Sequence, residues 1–322
     1  MKFKIFTLLV FLTSHFLNAT ILNDSLALKK DSISVISHWK TKNKLNLLFT
    51  QNSFVNWNAG GNNSIAGIIK VQLTKNYKNN HMTWSNELKS NYGLNKEEDR
   101  ELRKTEDLFE VNSTFGYRKN VKSNWYNSAK FSFKTQYTNG YKYPDTDTPI
   151  SRFFAPAYLF LGVGSEYADK ANNFKLYLSP ITNKTTFVFD RTLANKGSYG
   201  VEEATYDDDG NLLTKGENTK MEFGMLVSGE WKTEVMTNIQ MGNKLILYSD
   251  YVNNYGNIDF DWEINFDLTI NKYVTANIGS HFLFDDDVRN KKDIDDDGIL
   301  ETIGPKIQLK QVLGVGFLYN FQ

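Results

Sequence analysis

The chain has 322 residues, 37 basic and 37 acidic, so no net charge draws it to nucleic acid. It has no cysteine, which excludes a disulfide framework and a lipid anchor on a cysteine. Aromatic residues reach 14% while prolines number only 5, a balance that favours strands.

Met1-Lys2-Phe3-Lys4 is a short basic stretch, Ile5 to Leu17 is mostly apolar, and Leu17-Asn18-Ala19 has the small-residue pattern of a cleavage site. Residues 1–19 therefore read as a secretory signal peptide, the apolar run being well short of the ~20 residues of a spanning helix. Residues 20–43 are expected to form an N-terminal periplasmic segment, and 44–322 the folded body.

Period-two alternation then recurs along the chain. Leu45, Leu47 and Phe49 open the series, and Ile69, Val71 and Leu73 follow against Lys70, Gln72 and Thr74. Trp84, Asn86, Leu88 and Tyr92 oppose Ser85, Glu87 and Lys89; Phe109, Val111 and Phe115 oppose Glu110, Asn112 and Thr114. Phe131 and Phe133 oppose Lys130 and Lys134. Phe153 to Tyr167 is more continuously apolar, and Phe174 to Leu178 is short. Phe223, Met225, Val227 and Trp231 come next, then Val235 to Tyr248. The clearest alternation runs from Phe260 to Ile270, with Asp261, Glu263 and Asp267 on its polar side. Val274 to Phe284 precedes a closing strand in which Leu309, Leu313, Val315, Phe317, Tyr319 and Phe321 share one face. The pattern predicts about twelve strands.

The connections sort by parity. From the first hairpin, the even ones are short: Asn76–Asn80, Lys119–Ser123, Ala168–Asn172, Lys232–Glu234 and Asn271-Lys272. The odd ones after the first are longer: Asn95–Arg103, Gly140–Ile150, Pro180–Lys220, Asp250–Asn257 and Asp285–Pro305. Short periplasmic turns and long extracellular loops are the habit of outer-membrane barrels. Tyr and Trp at strand ends (Trp57, Tyr77, Trp84, Tyr117, Tyr273, Tyr319) suit a membrane interface. The expected fold is all-β, a transmembrane antiparallel up-and-down β-barrel in the outer membrane after export, with lipid as its surroundings.

Phe54-Val55-Asn56-Trp57-Asn58-Ala59-Gly60-Gly61-Asn62-Asn63-Ser64 resembles the hallmark of a family of Bacteroidota proteins catalogued as a domain of unknown function (number 3078). Lys104-Thr105-Glu106-Asp107, Ala155-Pro156-Ala157-Tyr158 and Phe284-Asp285-Asp286-Asp287 extend the likeness. The resemblance implies an outer-membrane β-barrel of a Gram-negative bacterium with no established activity. Phe317, Tyr319 and Phe321 resemble the signal read by the barrel-assembly machinery, with Gln322 following the last aromatic as a departure.

Candidate site residues are of two kinds. Lys70, Glu87, Glu110, Lys130, Asp261, Glu263 and Lys310 are expected to face the lumen. Asp293, Asp295 and Asp297, before Gly298, resemble the front half of a calcium loop. Gly304 stands where that loop needs a bidentate Glu, so Glu301 is the substitute in a looser, roughly millimolar site. Tyr206 to Asn211 carries the same acidic character but reads as a turn. No catalytic residue and no other cofactor is expected, because no Ser–His pair is placed for a triad. The function expected is a narrow pore for small solutes; the alternative is a non-conducting scaffold acting through its long loops.

Overall fold

The computed structural model describes residues 37–53, 62–253, 256–288, 290–292 and 301–321, with only the backbone described at 290–292 and 301–303. Twelve of its strands form the barrel: β1 (Trp39–Asn52), β2 (Ser64–Lys78), β3 (Met82–Glu97), β4 (Arg103–Tyr117), β5 (Trp125–Thr135) and β6 (Ala157–Asp169). β7 (Phe174–Phe187), β8 (Thr219–Met236), β9 (Ile239–Asp250), β10 (Asp259–Thr269), β11 (Val274–Phe284) and β12 (Gln308–Phe321) complete it. Each strand pairs antiparallel with its chain neighbours, and β1 pairs with β12, from Asn43 opposite Phe321 to Phe49 opposite Val315. Closure leaves no unpaired edge, which a sheet in lipid requires.

Side-chain exposure settles which face is which. Leu313 is 71% exposed and Phe317 58%, whereas Leu48, on the inner side of the β1–β12 seam, is 2% exposed. An apolar outer face around a polar interior is the reverse of a water-soluble barrel. At the rim where β1 begins, Trp39 packs on Tyr77 (5.2 Å between centroids) and on Trp84 (5.8 Å), and Trp125 on Tyr167 (5.2 Å). These rings build the interfacial girdle, apolar bodies with polar tips.

β1 starts at Trp39, ahead of the boundary expected at residue 44, because Trp39 to Asn43 pair with Tyr77 to Leu73. Two other boundaries also move. β7 runs to Phe187 instead of stopping at Leu178. Pro180 sits in a bulge, where the register jumps against both β6 and β8, so its missing N–H leaves no gap in the ladder. β8 continues to Met236, and the turn is Thr237-Asn238, with Asn238 in the left-handed region at φ 65°. The short connections 79–81, 170–173, 237–238 and 270–273 therefore share one end with the start of β1 and the finish of β12. The connections 136–156, 188–218 and 285–307 lie at the other, the loop end.

Connections 136–156 and 188–218 are structured. A five-residue helix, α1 (Arg191–Asn195), is capped by Asp190, whose Oδ1 accepts the Leu193 N–H at 3.0 Å. Ala155, Val188, Leu193, Ala194 and Val201 bury a small apolar core shared by 136–156 and 188–218. Phe154 stacks on Phe189, and Tyr199 donates its hydroxyl to the Ile150 carbonyl at 2.6 Å. Thr205–Tyr206 pairs with Leu212–Thr214 as a hairpin turning at Gly210, which confirms Tyr206–Asn211 as a turn.

Candidate functional site

Alternation fixes the lumen. On β1 to β5 the directly paired inward residues are Lys44, Gln72, Lys89, Glu110 and Lys134. On β8 to β12 they are Glu230, Lys244, Glu263, His281 and Lys310, so unlike charges stand opposite one another along much of this row. Lys89 lies 3.4 Å from Glu87 and 3.8 Å from Glu110. His281 Nε2 is 2.8 Å from Asp261 Oδ1.

Other pairs cross the barrel instead of following its wall. Lys244 on β9 reaches Glu110 on β4 at 3.7 Å, Lys134 on β5 reaches Asp261 on β10 at 3.5 Å, and Lys310 on β12 reaches Glu106 on β4 at 2.5 Å. At these separations the Coulomb attraction is about 4 kcal/mol in a medium of intermediate dielectric, largely offset by desolvation. The pairs are therefore structural struts of modest net strength.

Among the described residues, two sizeable cavities lie between them. One, about 360 Å³, takes in Lys130, Glu166, Glu230 and Asp261 and is walled on the β6–β9 side by Phe160, Tyr177, Leu226 and Ile246. The other, about 550 Å³, runs from Thr269, Thr275 and Asn277 at the turn end to Glu106 and Lys310 near the loop end. Glu87, Glu110, Lys134, Lys244 and Glu263 line both and separate them.

All the residues expected in the lumen line one or both cavities. Glu87, Glu110 and Glu263 line both, Lys130 and Asp261 the smaller, and Lys70 and Lys310 the larger. Lys130 Nζ lies over the Tyr177 ring at 5.2 Å. Phe317, Tyr319 and Phe321 are on the outer face of β12, with Tyr319 and Phe321 stacked. Asp293, Asp295 and Asp297 lie outside the described residues, as does the side chain of Glu301.

Sequence reasoning missed two features. The first is the apolar patch inside the barrel, where Tyr177, Leu226 and Tyr248 pack with Phe160 and Ile246. Its signal was the continuous apolarity of 153–167, a mark of burial on both faces. The second is the job of Lys104 to Asp107. A bulge between β3 and β4 falls inside this motif. Glu106, in step with Leu108 and Glu110 along β4, faces the lumen and meets Lys310. Lys104 pairs with Asp107 at 2.8 Å. Asp107 also accepts the N–H groups of Tyr137 (2.7 Å) and Thr138 (3.0 Å) and the Thr138 hydroxyl (2.9 Å). The motif ties connection 136–156 to the wall while feeding one charge inward.

Asn86, a polar interruption of an outer face, is also accounted for. It accepts from the Ser113 hydroxyl at 2.8 Å and donates to the Lys75 carbonyl at 3.2 Å, and Trp84 Nε1 donates to Ser113 at 2.9 Å. Its polar groups are satisfied within the sheet.

Residues 49–141 match the family model described as "Protein of unknown function (DUF3078)", in agreement with the resemblance read from the sequence. None of the curated proteins matches the chain. Among solved structures, the COG4313 outer membrane channel from Pseudomonas putida F1 is similar at 9% identity and TM-score 0.40, covering 92% of this chain and 100% of that one. The translocator domain of the autotransporter NalP from Neisseria meningitidis is similar at 9% identity and TM-score 0.35, covering 87% and 88%.

Proposed function

We propose that the protein is a narrow outer-membrane pore for small polar solutes, its loop end facing outside the cell. The observation that carries this reading is the larger cavity, which follows polar side chains along most of the barrel's height and ends at the Lys310–Glu106 pair. Lysines and carboxylates interleave on its walls, so the passage favours neutral or zwitterionic solutes over ions of one sign. Lys310 is the more accessible partner of this pair, its side chain 46% exposed against 8% for Glu106. Planar-bilayer recording tests the reading: small discrete openings are expected, larger in Lys310→Ala. Silent membranes from protein that still shifts on heating in gels would sink it.

A second reading, a non-conducting scaffold, draws on the same struts. Lys244–Glu110 and Lys134–Asp261 tie opposite walls together, and an apolar core of their own orders the loops 136–156 and 188–218. Under this reading the barrel holds the loops in place and the lumen passes nothing.

A further inference from the structure

A separate polar cluster sits at the loop end, next to the apolar patch. Glu222 on β8, Asp250 on β9 and Asp259 on β10 gather there with Asp285, Asp286 and Asp287, which follow β11. Lys184 Nζ lies 2.8 Å from Asp259, 3.4 Å from Asp285 and 3.5 Å from Glu222. Lys220 reaches Glu222 and Asp287. Among the described residues, two ammonium groups thus stand among six carboxylates.

Asp259, Asp285 and Asp286 each present an oxygen within 4.8 Å of the others. Local bonds already aim them. The Asp286 N–H donates to Asp259 at 3.0 Å, the Asp287 N–H to Asp285 at 3.0 Å, and the Asn257 amide to Asp286 at 2.7 Å. Beside them is a cavity of about 10 Å³, bordered by Tyr248, Asp259 and Asp286. That is space for roughly one water or one ion.

Tyr248 supplies the independent observation. It is 4% exposed and borders this cavity, and among the described residues nothing hydrogen-bonds to its hydroxyl. Leaving a buried hydroxyl unpaired is unfavourable, so its oxygen calls for a partner inside the cavity. A cation offers one, since the phenol oxygen has lone pairs to give. Every one of these donors is oxygen, and among the described residues carboxylates outnumber ammonium groups, which selects a hard divalent ion over a thiophilic one.

We propose that this cluster is a Ca²⁺ site, with Asp259, Asp285 and Asp286 as carboxylate ligands and the Tyr248 hydroxyl as a neutral one. Bound there, the ion staples the segment after β11 to the ends of β9 and β10. Lys184 shares the same carboxylates and moderates the affinity. The site needs none of Asp293, Asp295, Asp297 or Glu301.

Calorimetric titration of the full chain, folded in detergent, with CaCl₂ tests this. Saturable binding is expected between roughly 10 μM and 1 mM, the range of flexible oxygen-ligand sites. Asp286→Asn is expected to weaken it at least tenfold or so, since ligand charge sets affinity. The combined Asp293→Asn, Asp295→Asn, Asp297→Asn variant is expected to leave it unchanged. If Asp286→Asn loses its heat-modifiable mobility, Tyr248→Phe replaces it, with weaker binding again expected. Absence of saturable heat in the unaltered protein, or binding lost in the combined variant and kept in Asp286→Asn or Tyr248→Phe, overturns the proposal.

Discussion

Lys244 and Glu110 meet across the lumen, 3.7 Å apart, although β9 and β4 lie on facing walls of the barrel. Each also has unlike-charge neighbours on its own wall, Lys244 beside Glu230 and Glu263, Glu110 beside Lys89 and Lys134. The pair thus joins two wall networks into one. A double-mutant cycle with Lys244→Met and Glu110→Gln is expected to give a coupling of about 1 kcal/mol in urea unfolding. If the pore reading holds, each single variant also widens the passage and raises conductance. A coupling near zero would mean that the two walls are held independently.

Gly316 sits where β12 closes against β1. A Cβ there would lie 1.8 Å from the Leu47 carbonyl oxygen, a clash with backbone and not with a movable side chain. Gly316→Ala is therefore expected to block the seam and abolish the fast-migrating unboiled form in gels. Gly242→Ala, which has open space around it, is expected to keep that form.

Asp107 gathers the Lys104 ammonium, two backbone N–H groups and the Thr138 hydroxyl, and its side chain is only 3% exposed. Asp107→Ala leaves these donors without their acceptor, at about 1–3 kcal/mol locally. The expected outcome is a faster proteolytic cut within 136–156 with the barrel intact. Cutting at an unchanged rate would show that the loop is held by other contacts.

Burial pushes the Tyr199 hydroxyl up to about 12, against a hydrogen bond with Ser151 that lowers it. The sign follows from linkage. A group whose folded value is raised contributes stability that is fully present below its unfolded value near 10 and is lost as pH rises through the folded one. Docking of 188–218 on 136–156 is accordingly expected to weaken between about pH 10 and 12. Tyr199→Phe should lose this alkaline step, read as protease access to the loop. A step that persists in Tyr199→Phe would assign it to another group.

Where one residue in two faces lipid, the sequence reports the fold well. β10 and β11 appear almost residue for residue, because apolar and polar side chains alternate along β10 and most of β11. Legibility fails where the period slips. Pro180 reads as a strand end, yet the bulge around it lets β7 continue and bring Lys184 to the loop end. The lumen charges follow from parity, but not their partners, because which inward residues meet across the lumen depends on how the strands are staggered around the ring. The Tyr248 cluster was hidden for another reason. Its members come from β8, β9, β10 and the segment after β11, and each looks like an ordinary strand-end residue until the sheet curls shut.

The ladder between β1 and β12 covers only 43–49 against 315–321, whereas β1 is paired with β2 along its whole length. In a ring, any rupture must expose two raw edges at once, so strands cannot peel away one at a time. The weakest join is then the one place where the wall would part under load. If the barrel ever opens sideways into the bilayer, the slit forms along Leu45 to Phe49, with Leu48 and Gly316 on its facing lips.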